Sequence, residues 1–257
     1  MAGVANLAIG PVADYQDVLR LMAAIDQALP DEDGVKWFNR LYWMVTRNVV
    51  HHLHNPAEWK TPYWLPQIIP DFARYYFRAV QQAETDASAC PRAWQPLFER
   101  RRDRRVARLQ FALAGMNAHI NRDLPYALGD TFHALHKPLT AEAPEKADFE
   151  HVNDILEESE HQAMHDPAER LTEDIGGDLG PLADVVAMWS VRAGREAAWR
   201  TGVLLWALPE AFGAYMQTLD KTTGLASRLF LQPVVPGLGG PAADATSGRG
   251  QDTPNAP

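Results

Sequence analysis

Val106-Ala-Arg-Leu-Gln-Phe-Ala-Leu-Ala-Gly-Met-Asn-Ala-His-Ile-Asn-Arg-Asp-Leu-Pro125 spaces Val106, Leu109, Leu113, Met116 and Ile120 three and four residues apart. That is the period of a helix face and not the alternation of a strand. The last nine residues, Asn117 to Pro125, place hydrogen-bonding side chains in what otherwise reads as an apolar helix. Buried polar groups must be paired, so Asn117, His119, Asn121 and Asp123 either stabilise one another or form a site. Gly115, His119 and Asp123 run along the edge of the stripe. Their four-residue spacing lets the carboxylate hold an imidazole N–H and favour its protonated form. Gly115 leaves space beside the pair for a ligand or for the close approach of another helix. Asp123-Leu124-Pro125 also reads as an N-cap with proline in the first turn of a new helix. In that reading Asn117 and Asn121, which face away from His119, tie the helix junction to its neighbours.

The same spacing recurs along most of the chain, and alternating runs bounded by hairpin turns are missing. The expected fold is all-α, an irregular compact bundle. Helices are predicted over about 12–29, 34–54, 63–86, 91–101, 103–122, 124–136, 146–164, 181–206 and 209–229. Pro30, Pro56, Pro62, Pro91, Pro138, Pro167, Pro181 and Pro209 fall between these segments or at their starts. One domain over residues 1–232 is expected. Residues 233–257, rich in Pro, Gly and Ala, are expected to be a disordered tail. No repeat of about 30 to 50 residues suggests a solenoid.

The 257 residues are 46% hydrophobic, enough for a sizeable core. No segment reads as a membrane span, and the start lacks the basic region of a secretory signal, so a cytoplasmic protein is expected. The lone Cys90 rules out an intrachain disulfide and a thiolate cluster within one chain. A formal charge of −9 argues against a general nucleic-acid binder. The run Arg100-Arg101-Arg102-Asp103-Arg104-Arg105, with Arg108, is the exception, and it reads as a solvated helix face before it reads as a phosphate site.

Three further sets of polar residues merit attention. In 181–206, Arg192, Glu196 and Arg200 fall on an apolar stripe through Leu182, Val185, Val186, Trp189, Ala193 and Ala197. They form either an internal Arg–Glu–Arg network or a guanidinium for an anionic substrate group. In 34–54, Asn48 and His52 join the stripe of Phe38, Leu41, Val45 and Val49, which makes His52 the inward member of the histidine cluster. Asn153 lies near the buried side of its helix, whereas Glu157, His161 and His165 repeat every four residues on the opposite face, away from any dry metal pocket. Walker, dinucleotide-binding, nucleophile-elbow and H-E-x-x-H motifs are missing.

The run from Gly115 to Pro125 resembles the G-x-N-A-H-I-N-x-D-L-P signature of a family of helical proteins of unknown function. Phe38-Asn39-Arg40-Leu41-Tyr42, Trp94-Gln95-Pro96-Leu97-Phe98, Asp148-Phe149 with Val152-Asn153, and Trp189-Ser190 followed by Ala198-Trp199 extend the similarity over about residues 35 to 230. The resemblance implies an all-α fold and points to Asn117, His119, Asn121 and Asp123, but names no reaction. A weaker similarity, in the H-x-x-x-D pair, is to helical zinc-dependent phospholipases C and nucleases, whose remaining ligands this chain does not match. The expectation is a cofactor-independent enzyme acting on a small organic substrate, in specialised metabolism. His119 is its acid–base residue and Asp123 orients it, with Asn117, Asn121, Arg192, Glu196, Arg200, Asn153 and His52 as substrate-binding candidates. The alternatives are a zinc hydrolase built on His119, Asp123 and His52, and a non-catalytic binding or scaffold protein.

Overall fold

Helix α5 (Arg108–Ala118) is buried on every side from Leu109 onward, not along one stripe. A helix apolar all round belongs inside a bundle, and the small residues of Ala112-Leu-Ala-Gly115 let neighbours approach it closely. The computed structural model describes residues 12–166, 169–176, 180–182 and 190–234, and all regular elements among them are helical. Ahead of α5 come α1 (Tyr15–Ala28), α2 (Gly34–Leu53), α3 (Leu65–Thr85) and the short α4 (Gln95–Arg100). After it follow α6 (Leu124–Ala134), α7 (Glu145–His165), α8 (Val191–Ala207) and α9 (Phe212–Phe230). Helix α2 packs along one side of α5 and α9 along another. Helix α3 lies on α6, α6 on α8, and α7 on both α2 and α8. No helix among the described residues is long and apolar enough to cross a membrane.

Local chemistry sets the helix starts. Asp14 accepts from the N–H groups of Gln16 and Asp17, Asp33 from that of Val35, and Ser190 from that of Ala193, each satisfying donors that the first turn leaves open. The Ser190 cap corrects the expected helix 181–206: α8 begins at Val191, and residues 183–189, with Val185, Val186 and Trp189, lie outside the described residues. The expected helix 91–101 contracts to α4 because Pro91 to Trp94 close a turn first. Helix α5 starts five residues later than expected, since the Asp103 carboxylate turns back to bind the backbone and guanidinium of Arg105.

Gly115 is explained by α2. A Cβ there would run into the ring of Phe38, so the glycine admits a neighbouring helix and not a ligand. The basic run is tied into the protein. Arg101 binds both oxygens of buried Asp33 and also Glu84, Arg100 and Arg105 pair with Asp103, and Arg108 pairs with Glu173. Val234, within the stretch expected as a tail, donates its N–H to the Arg105 carbonyl. Residues 235–257 lie outside the described residues.

Candidate active site

Helices α5 and α6 are one continuous path joined by a single π-helical turn, His119–Asp123. Pro125 has no N–H and its ring crowds the carbonyl four residues back, so an ordinary helical turn is disfavoured here. The chain widens instead, and the Leu124 N–H reaches back five residues to the His119 carbonyl. Asp123 is therefore not a cap, since its side chain accepts nothing from the first turn of α6. Its carboxylate is fully buried and turned inward. Isolated π turns of this kind occur often at functional sites.

Three donors converge on that carboxylate. Trp94 Nε1 lies 3.0 Å from Oδ2, His119 Nδ1 3.0 Å from the same oxygen, and Arg122 Nη1 2.6 Å from Oδ1. Because the indole and guanidinium can only donate, the carboxylate accepts, and the His119 N–H is placed at Nδ1. Nε2 then keeps its lone pair. It is buried and has no hydrogen-bond partner. Burial holds His119 below its ordinary pKa, against the opposing pull of Asp123. The resting imidazole is thus neutral. Burial also works against the Arg122 cation, but Asp123, with Tyr126 and Asp220, more than offsets it. Arg122 further lies 4.8 Å over the Tyr126 ring.

Aromatic rings fix the imidazole. Phe72 stacks on it at 3.5 Å between centroids with the planes 4° apart, and Tyr42 meets it edge-on at 4.6 Å. Phe38, Trp94 and Tyr76 complete the surround. His119 lines a small apolar cavity of about 80 Å³ to which α2, α3, α5, α6, α7 and α8 all contribute. Its polar wall consists of Tyr42, Thr46, Trp64, His119 and Arg195. Val45, Ile68, Met116, Leu124, Val152 and Leu156 are among its apolar lining. A neutral base backed by a carboxylate, facing a cavity that holds few competing polar groups, is suited to moving a proton to or from a bound molecule.

The structure does not bring the other sequence-derived candidates to this cavity, with one indirect exception. Asn117 donates to the Thr223 carbonyl at 3.1 Å and to Ser227 Oγ at 2.9 Å, and accepts from Asn121 at 2.9 Å. Both asparagines line a separate groove against α8 and α9. Arg192 is bound to Asp154 and Glu157, while Glu196 pairs with Lys146 and Arg200, all on an outer face. These three residues are displaced from the core because the inward stripe of α8 runs through Val191, Arg195, Ala198, Trp199, Gly202 and Leu205. His52 is likewise not inward: it pairs with Glu58 at 2.6 Å and is 34% exposed. Asn153 is the exception, since its Oδ1 accepts from Arg195 Nε at 2.6 Å.

Sequence reasoning missed Arg195, Trp64, Trp94, Phe72 and Tyr42 as site residues. Arg195 was detectable, because residues 190–207 read alone put a single charge on an apolar row. Trp94 carried no spacing signal, as its bond to Asp123 spans 29 residues. The metal set of His119, Asp123 and His52 is not assembled, and no three His, Cys, Asp or Glu side chains come together for an ion among the described residues.

No curated protein and no solved structure matches the chain. A family described as being of unknown function, DUF5995, matches residues 15–233, which take in every helix from α1 to α9 and with them the whole site. By that match the chain belongs to this family of unknown function.

Proposed function

We propose that this protein is an enzyme that moves a proton on a small organic substrate, with His119 as the acid–base residue and no cofactor required for that step. One observation carries the reading: Nε2 of His119 is buried and unpartnered in a residue that lines a cavity, while Nδ1 is held by Asp123. In the forward direction Nε2 takes a proton from the substrate. The imidazolium so formed is stabilised by the Asp123 carboxylate, whose position Trp94 and Arg122 fix. Donation from Nε2 to the product then restores the neutral ring. Exclusion of water from an apolar cavity strengthens the His–Asp interaction at the moment charge appears. The expected setting is cytoplasmic, within specialised metabolism.

A zinc hydrolase would need further ligands beside His119 and Asp123, and His52 is engaged elsewhere with Glu58. A scaffold role gives no reason for an unpartnered buried imidazole nitrogen in a residue that lines a cavity. The test is proton exchange. The full chain is incubated in D₂O with short-chain enolisable ketones and acids, and loss of the exchangeable C–H signal is followed by NMR. The expected result is exchange by the wild type that falls at least about a hundredfold in His119→Gln, a typical loss for a general base. Equal exchange by the two proteins, or none with any compound, would overturn the reading. Exchange lost to a chelator and restored by zinc would transfer the function to a metal.

A further inference from the structure

The cavity beside His119 contains a cation that its surroundings do not neutralise. Arg195 is buried on the inward face of α8, at 7% exposure. Its hydrogen bonds go to neutral acceptors, from Nε to Asn153 Oδ1 at 2.6 Å and from Nη2 to the Phe149 carbonyl at 2.8 Å. The guanidinium carbon lies 4.0 Å from the centre of the Phe149 ring. Among the described residues no carboxylate is within ion-pair distance of it. The partly buried Arg101 and Arg122, by contrast, are held by acidic groups, Asp33 with Glu84 and Asp123. A buried, unneutralised charge is unfavourable unless something offsets it. Burial alone pushes Arg195 down to about 9, which leaves it charged at neutral pH.

A second donor lines the same cavity. Trp64 is 1% exposed, and its indole N–H has no hydrogen-bond partner. Trp64 and Arg195 are both neighbours of Phe149, the indole ring 6.4 Å and the guanidinium carbon 4.0 Å from its ring centre. The remaining lining is predominantly aliphatic and aromatic. The cavity's volume, about 80 Å³, is roughly half the 150 Å³ of an engineered apolar cavity that takes up benzene, so it suits a ligand of only a few heavy atoms.

We propose that the cavity binds a short aliphatic carboxylate, its anionic head received by Arg195 and the Trp64 N–H and its apolar end directed towards His119. The proposal rests on the acid–base reading for what happens to the ligand, but not for its binding. A guanidinium presents paired N–H groups that match a carboxylate, and charge-assisted bonds of this kind are about twice as strong as neutral ones. Arg195 and Trp64 are then substrate-binding residues, and Asn153 is a positioning residue that holds the guanidinium in place.

The full chain is titrated with sodium propanoate, propan-1-ol and propylamine by calorimetry. Propanoate should saturate and bind at least about tenfold more tightly than the alcohol or the amine, as a charge-assisted contact requires. Arg195→Met should lose that preference, and Trp64→Phe should weaken propanoate by about threefold or more. His119→Gln should retain propanoate binding, because the head group is held elsewhere. Equal binding of acid and alcohol, no saturation by propanoate, or full retention by Arg195→Met would overturn the proposal. The comparison of acid with alcohol uses the wild type, so it decides the matter even if the arginine variant does not fold. Failure of propanoate to bind while His119-dependent exchange persists defeats only the anion site. Binding without exchange defeats only the acid–base reading.

Discussion

His119 has its two nitrogens in opposite situations, and this asymmetry has consequences for pH. Nδ1 donates to Asp123, and Nε2 is buried with no partner. Burial lowers the folded-state pKa below that of an unfolded histidine, about 6.5. The unfolded chain therefore binds a proton that the folded protein refuses as pH falls below that value. The histidine's contribution to stability is present above about pH 6.5 and is lost as pH falls towards the lower folded pKa. His119→Gln should remove this component. Urea denaturation of the two proteins at neutral and mildly acidic pH is expected to show a smaller acid loss in the variant. An equal acid loss in both would mean that folding leaves the imidazole pKa at its unfolded value. The His119–Asp123 pair could be found in the sequence because four residues span one helical turn. Its environment could not. Trp94 and Phe72 reach the pair through tertiary packing, which local spacing does not encode.

At the level of the helix, the asparagines of the motif serve a purpose different from that of the histidine beside them. Asn117 joins α5 to α9 through the Thr223 carbonyl and Ser227, and Asn121 completes its carbonyl. Asn117→Ala would leave buried partners on α9 unsatisfied, with an expected loss of about 2 kcal/mol. Heteronuclear NMR of His119 should show its titration unchanged, which a role in the catalytic cavity would not allow. Gly115→Ala tests the opposite side of the same helix. The added methyl would meet the Phe38 ring, and overpacking predicts a loss of about 2 kcal/mol in urea unfolding. Periodicity revealed that α5 is a helix, but the same pattern also fits a helix with one buried stripe. Which neighbours cover its remaining faces depends on where α2 and α9 dock. The error in α8 has a similar origin. A start assumed ten residues too early drew the stripe through Arg192 and Glu196, while the Ser190 cap and the row from Val191 to Leu205 point inward through Arg195.

The whole molecule brings α1, α2, α3 and the α4–α5 junction together through one charge cluster. Asp33, buried between α1 and α2, caps α2 through the Val35 N–H. Arg101, in the turn after α4, donates to both Asp33 oxygens and to Glu84 near the end of α3, and its carbonyl accepts from the Gly34 N–H. The all-α class was legible from periodicity alone. This junction was not, because the sequence shows Arg100–Arg105 only as a basic run, and the acids that pair with its members lie both nearby and in distant segments. Arg101→Met keeps the length of the stem but removes the cation, leaving Asp33 buried with its cap bond and no counter-charge. Loss of one partner from a buried pair predicts a drop of about 3 kcal/mol in unfolding free energy, the lower end of the usual range because Arg101 is partly exposed. Arg104→Met, two-thirds exposed and 3.9 Å from Glu32, should change stability by less than about 0.5 kcal/mol. Equal effects of the two substitutions in urea denaturation would mean that the run acts as a diffuse positive surface. A large difference would identify Arg101 as the residue through which these helices are held in register.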